Sequence, residues 1–259
     1  MLIITTEKKL YFRLSFLPVI VLVYVLGSGQ ALAAEIRVAV ASNFARAMTS
    51  LARNFEENTG HKVKLVFGST GKHYAQIRNG APFDVFFAAD IKRPRLLEEE
   101  GITVSGSRFT YATGKLILWS PIPDYVDAEG GVLRHGSFRY LAIANPDLAP
   151  YGRAAREFLQ SRGLWNELKQ KTVRGENIGQ AFQFVSSGNA ELGLVAFSQV
   201  RNIHRPVEGS YWEVPASLYT PIEQQAVLLT DNEAGRSFIS YIKSKPALKI
   251  ISNHGYESL

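Results

Sequence analysis

Val63-Lys64-Leu65-Val66-Phe67-Gly68-Ser69-Thr70-Gly71-Lys72 joins two patterns within ten residues. A short apolar run breaks into Gly-Ser-Thr-Gly, and a helical pattern follows from about His73. The spacing predicts a strand that feeds a helix through a turn rich in small hydroxyl residues. Such a junction offers unpaired backbone N–H groups, the positive end of a helix dipole and hydroxyl donors, all suited to an anion. An equivalent junction lies upstream, where Ile36–Ala41 runs into Ser42-Asn43 and then a helix. Two such junctions facing one cleft would hold an oxyanion without a charged side chain.

Outward from these junctions the chain alternates strand and helix. Ile36–Ala41, Lys62–Phe67 and Phe83–Ala89 read as strands, the last apolar enough to be covered on both faces. Phe44–Asn58 reads as an amphipathic helix carrying Phe44, Met48, Leu51, Ala52 and Phe55 at spacings of three and four. His73–Asn79 and Arg93–Glu100 read as shorter helices. This alternation predicts a parallel sheet of βαβ units. The extended run Phe109–Ser120, with Gly114 in its middle, reads as a crossing into a second lobe. There the alternation restarts, with strands at Leu141–Ala144, Val173-Arg174 and Leu192–Phe197 and helices at Gly152–Arg162 and Ile178–Ser187. A second extended run, Tyr219–Leu229, returns the chain, and helices at Ala234–Ser244 and Pro246–Ser252 close it. The expected fold is α/β: two βα lobes with mixed, mainly parallel sheets, joined by two extended crossings over a cleft. Residues 34–113 and 223–259 form the first lobe and 114–222 the second.

Residues 1–33 stand apart from this fold. Lys8, Lys9 and Arg13 precede an apolar stretch, Leu14–Leu26, and Ala31-Leu32-Ala33 supplies a small-x-small cleavage pattern. That is the grammar of a secretory signal peptide cleaved after Ala33, and the stretch is short for a membrane span of roughly 20 residues. The 259-residue chain carries a net charge of +6; the leader, with three basic residues and Glu7, accounts for two of these, leaving +4. No Lys/Arg run reaches the density of a nucleic-acid face, so none is expected to bind one. With no cysteine, an exported chain folds without disulfides or thiolate metal sites.

Enzymatic motifs are missing from the sequence. Gly68-Ser69-Thr70-Gly71 lacks the Gly-x-Ser-x-Gly spacing of a hydrolase elbow, and neither phosphate-loop nor dinucleotide glycine signatures occur. His61, His73, His135, His204 and His254 have no metal-ligand spacing and read as surface residues. Asp84 and Asp90, flanking the third strand, read as turn or cap residues. For Ser42 and Ser69 the plain alternative to a binding role is an N-cap, the commonest task of serine at a helix start. Two such sites in one lobe of an exported, two-lobed chain favour binding, because loops at the carboxyl ends of open α/β sheets collect ligands.

The run Phe67-Gly68-Ser69-Thr70-Gly71-Lys72, with Ala75-Gln76-Ile77 and Asn79-Gly80-Ala81-Pro82-Phe83-Asp84-Val85-Phe86 after it, resembles the periplasmic molybdate-binding proteins of ABC transporters. The similarity extends through Ala41-Ser42-Asn43, Pro150-Tyr151-Gly152-Arg153-Ala154-Ala155, Glu176-Asn177-Ile178 and Gly193-Leu194-Val195. Single motifs here are weak, whereas their order and distances are specific. The resemblance implies a type II periplasmic binding protein fold that closes around a tetrahedral oxyanion. It implies Ser42, with Asn43 beside it, and Ser69 as first-lobe ligands, and backbone N–H groups of Tyr151 and Ile178 from the second lobe. Where some family members carry a ligand tyrosine this chain has Ala196, and the Tyr151 hydroxyl is a candidate to replace it. The implied role is that of a monomeric periplasmic protein, not an enzyme and without a cofactor. It would bind molybdate and tungstate, deliver them to an ABC permease, and bend near Thr113-Gly114 and Thr220-Pro221. Two alternatives stay open: another tetrahedral oxyanion such as sulfate or phosphate, and a secreted enzyme acting on a phosphorylated substrate.

Overall fold

The computed structural model describes residues 2–3 and 33–257. The leader expected over 1–33 therefore falls almost wholly outside the described residues. Chain order in the first half is β1 (Glu35–Ala41), α1 (Ala45–Thr59), β2 (Lys62–Gly68), α2 (Thr70–Arg78), β3 (Val85–Phe87), α3 (Lys92–Glu99) and β4 (Phe109–Gly114). One residue later the chain enters a second sheet with β5 (Leu116–Ser120), followed by α4 (Val132–His135), β6 (Leu141–Ala144), α5 (Pro150–Ser161) and α6 (Trp165–Leu168). Then come β7 (Thr172–Gly175), α7 (Ile178–Ser186), β8 (Leu192–Ala196), α8 (Phe197–Val200) and β9 (Ser210–Glu213). The chain returns through β10 (Ile222–Leu228) and ends in α9 (Glu233–Ile242) and α10 (Lys245–Asn253).

The two sheets have matching plans, in the orders β2-β1-β3-β10-β4 and β7-β6-β8-β5-β9. In each, three neighbouring strands run parallel and two more pair antiparallel at the other side. Strand–helix alternation alone predicts only the parallel part. The antiparallel pairings arise because the strands at the crossings, β10 and β5, run back between or beside strands of opposite sense. The long run Phe109–Ser120 is split at Lys115, so that one continuous stretch serves both sheets.

Hydrophobic burial explains the elements. Met48, Leu51, Ala52 and Phe55 form the buried stripe of α1, and Gly60 ends it in the left-handed region (φ 76°), its N–H reaching Glu56 O. Phe44, Phe55, Phe87, Tyr111 and Phe238 stack edge-on and tilted in the first core. The second core gathers Leu116–Trp119, Leu141–Ala144, Phe158 and Leu192–Ala196 around one sheet.

Several expectations need correction. Helix α2 begins at Thr70 rather than His73, because the Ser69 side chain caps it. The strand β9 was not anticipated: Ser210–Glu213 is short and half-exposed on a sheet edge, and carries little apolar signal. His61 and His73 are buried, not on the surface. His61 packs on the Phe55 ring, and His73 stands between Val40 O (3.3 Å) and Gln76 Oε1 (3.1 Å). Asp90 acts at a helix start as expected, whereas the Asp84 carboxylate makes tertiary bonds instead of serving a turn or cap. Asp84 accepts from Arg37 N and Asn232 Nδ2, and Asp90 accepts from Arg93 N at the start of α3 while pairing with its guanidinium.

Candidate functional site

The C-terminal ends of the parallel strands of both sheets face one another, and the helix starts that follow them meet there. Ala41, Ser42, Asn43, Gly68, Ser69, Thr70, Ala89, Ala149, Pro150, Tyr151 and Ile178 line a tight space. It is far smaller than the ~300–1,000 Å³ typical of organic-ligand pockets, so it suits at most an ion of a few atoms. All five residues singled out in the sequence (Ser42, Asn43, Ser69, Tyr151 and Ile178) border it. No Asp, Glu, Lys, Arg or His is among these lining residues.

Each helix start can be accounted for donor by donor. In α2, Gly71 N donates to Leu148 O (2.8 Å), Lys72 N to Ser69 Oγ (3.4 Å) and His73 N to Ser69 O (3.1 Å), so the Thr70 N–H is left over among the described residues. The Thr70 hydroxyl is used, accepting from Ala89 N at 3.0 Å. In α7, Gln180 N donates to the Asn177 cap (3.1 Å) and Gly179 N to Ser42 Oγ (3.2 Å), leaving the Ile178 N–H. Helix α5 starts with Pro150 at its first position and no side-chain cap, which brings the Tyr151 N–H to the same space. Ser42 and Asn43 begin the 3-10 turn Ser42–Phe44, likewise without a side-chain cap. Three α-helix dipoles and one 3-10 turn thus point their positive ends at one spot.

The two halves of the molecule touch around this space. Besides Gly179–Ser42 and Gly71–Leu148, Arg46 Nη1 donates to Gln199 O (2.9 Å), Arg93 Nη2 to Asp147 O (3.3 Å), and Lys72 Nζ pairs with Glu176 at 2.7 Å. Side-chain hydroxyls bring donors that can turn, while backbone N–H groups are fixed. Together they read the number and direction of a ligand's oxygens rather than its bare charge.

Two sequence expectations are refined. The Asn43 carboxamide nitrogen is committed elsewhere, to Gln224 Oε1 (2.8 Å) and Tyr256 Oη (3.0 Å), so its backbone is the part left to meet a ligand. The Tyr151 hydroxyl lies against Gly114 and beside Gln224 Nε2 (3.5 Å), where burial pushes its pKa well up. Ala196 is fully buried and its N–H is bonded to Gln199 Oε1 (3.1 Å). Ala41, Gly68, Thr70, Ala89, Ala149 and Pro150 also line the space and are not among the five. Gly68 and Thr70 lie inside the quoted run and were visible there, while Ala89, Ala149 and Pro150 carry no chemical signal of their own.

Residues 36–257 match the family described as bacterial extracellular solute-binding proteins. The chain belongs to this family. Among its relatives, the protein named molybdate-binding protein ModA of Azotobacter vinelandii is 52% identical over 242 residues, covering 91% of this chain and 96% of that one. The protein of the same name from Rhodobacter capsulatus is 45% identical over 229 residues, covering 87% and 89%. A solved structure titled Azotobacter vinelandii periplasmic molybdate-binding protein superposes with a TM-score of 0.84 at 42% identity, covering 86% of this chain and 99% of that one. The paired α/β sheets are therefore the family's fold.

Proposed function

We propose that this solute-binding protein captures molybdate, and tungstate with it, in the periplasm and delivers it to the permease of an ABC transporter. The observation that carries this reading is the convergence of four uncharged helix and turn starts, from both sheets, on one small space. It is supported by the names of relatives 52% and 45% identical to this chain. Ser42 and Ser69 would donate through their hydroxyls, and Asn43, Tyr151 and Ile178 through backbone N–H groups. No cofactor or covalent step is needed.

The crossings lie at Lys115, between β4 and β5, and just before β10, within a residue of the 113/114 and 222/223 divisions expected from the sequence, and the chain acts as a monomer that bends there. Donors from the second lobe meet the anion only when the lobes close, so the ligand binds the closed form better and shifts the population toward it. A cage of hydroxyls and backbone N–H groups without a carboxylate also explains discrimination against phosphate. A fully deprotonated oxyanion accepts from every side, whereas phosphate near neutral pH keeps a proton and needs an acceptor such as a carboxylate, and none lines the space.

Calorimetric titration with molybdate, tungstate, sulfate and phosphate tests the proposal. Tight binding of the first two over the last two is expected. Equal binding of all four, or none, would sink it.

A further inference from the structure

We infer that a buried hydrogen-bond chain behind the site, Asn43–Gln224–Tyr151, sets the separation at which the two lobes close and so selects the size of the bound oxyanion. The inference rests on the oxyanion reading above and deepens it. Asn43 sits next to Ser42, is 3% exposed, and donates its Nδ2 to Gln224 Oε1 at 2.8 Å. Gln224 lies within β10 and is fully buried; its Oε1 also accepts from the Tyr111 hydroxyl (2.9 Å), and its Nε2 faces the Tyr151 hydroxyl at 3.5 Å. Tyr151 comes from the other lobe. Its backbone begins α5 at the anion space, while its ring reaches back to the crossing between the sheets.

The crossing is shaped to receive it. Gly114 is the last residue of β4, and a Cβ there would overlap the Tyr151 oxygen and crowd Gln224 Nε2. The absent side chain makes a socket, and the phenol is the pin that fills it. A second chain runs in parallel. The Tyr256 hydroxyl lies 2.7 Å from Asn43 O and 3.0 Å from Ser198 Oγ, and Ser198 Oγ donates to Asn43 O at 3.0 Å, tying α8 of the second lobe to the same asparagine. Asn43 is thus the joint through which both lobes are registered to the anion loop. Burial keeps the Tyr111 and Tyr151 phenols protonated, so the network stays neutral and directional.

Hydrogen bonds suit this task better than apolar packing. Apolar contact tolerates sliding, whereas a hydrogen bond is directional and weakens as its distance and angle leave the preferred range, and an unpaired buried partner is costly. The chain therefore acts as a stop. It fixes how far the second-lobe N–H groups stand from Ser42 and Ser69, and oxyanions of like charge and shape then differ only in whether their bond lengths match that gap.

The test compares molybdate and sulfate affinities, by calorimetry, for the full unmodified chain and for Tyr151→Phe and Gln224→Met. Tyr151→Phe removes one oxygen and keeps the backbone donor, so it reports even where Gln224→Met does not fold; a thermal melt of each variant checks folding. The expected result is a fall in the molybdate-over-sulfate affinity ratio of about three- to tenfold in each variant, the worth of a net hydrogen bond. A ratio that stays unchanged, whether both affinities hold or both drop together, assigns the network to stability alone and overturns the inference. Failure of the unmodified chain to bind molybdate would overturn the oxyanion reading itself, before any variant is compared.

Discussion

The Gly179 N–H donates to Ser42 Oγ at 3.2 Å, from a helix start in one lobe to the Ser42–Phe44 turn of the other. The serine oxygen is thereby an acceptor toward α7, and its own hydrogen is free to point at a ligand. Ser42→Ala removes the proposed ligand donor and a contact between lobes in one step. Molybdate binding should weaken by about 1.5–3 kcal/mol, the range for a hydrogen bond to a charged group. Ser69→Ala should cost about the same in affinity. It should also cost roughly 0.5–2 kcal/mol of stability through the lost cap; at 3.4 Å that cap is long, so the low end is expected. Calorimetry and denaturant titration separate the two effects. Unchanged affinity in either variant returns that serine to a purely structural role.

Gly71 tests closure itself. A Cβ at this position would stand 2.8 Å from Leu148 O and 3.2 Å from its Cα, both backbone atoms of the opposite lobe. Within α2, alanine is the better helix former by about 0.5–1 kcal/mol. Gly71→Ala should therefore leave the ligand-free protein as stable as before, or slightly more so. Molybdate affinity should fall at least about tenfold, because only the closed form meets the clash. A variant that binds as tightly as the unmodified chain would show that the lobes need not approach this closely.

Much of this arrangement was legible in the sequence because it is local. Gly68-Ser69-Thr70-Gly71 and Ser42-Asn43 declare strand-to-helix junctions by composition, and the switch from an apolar run to a helical pattern places them. The starts at Tyr151 and Ile178 carry no comparable signal, since their donors are backbone N–H groups that any residue possesses; they came from resemblance. What stayed hidden is non-local. Asn43 meets Gln224 across 181 positions, and no periodicity announces that a glutamine in an apolar strand answers an asparagine in a distant turn. The return of β10 between β3 and β4 is likewise a consequence of tertiary pairing, as is the burial of His73.

Lys72 and Glu176 form an ion pair of 2.7 Å across the cleft, with side chains 51% and 39% exposed. So exposed a pair contributes about 1 kcal/mol at most and is weakened by salt. Lys72→Met should reduce molybdate affinity by less than about tenfold, chiefly by faster release, and the difference should shrink as salt is added. Stopped-flow measurements at low and high ionic strength give both rates. A loss well beyond tenfold that persists in high salt would instead make Lys72 a direct ligand and end the claim of an uncharged cage.

His73 supplies the pH dependence. Its ring lies beneath the turn that starts at Gly68, with Nε2 close against Gly68 and 3.3 Å from Val40 O, Nδ1 3.1 Å from Gln76 Oε1, and the Phe83 and Phe86 rings edge-on. Burial pulls its pKa below the ordinary 6.5; the bonds to Gln76 and Val40 oppose this, and the nearby Lys72 charge adds to it. The unfolded chain accordingly takes up a proton at a higher pH than the folded one. Well above 6.5 neither state is protonated at this residue and stability is full. As pH falls from 6.5 toward the lower folded value, the unfolded state gains a proton that the folded state resists, and stability declines. Below the folded value the loss levels off. Denaturant midpoints measured in buffers stepped from above 6.5 to well below it should show this decline, and His73→Gln should flatten it while leaving other titrating groups in place. An equally steep decline in the variant would place the acid sensitivity elsewhere in the protein.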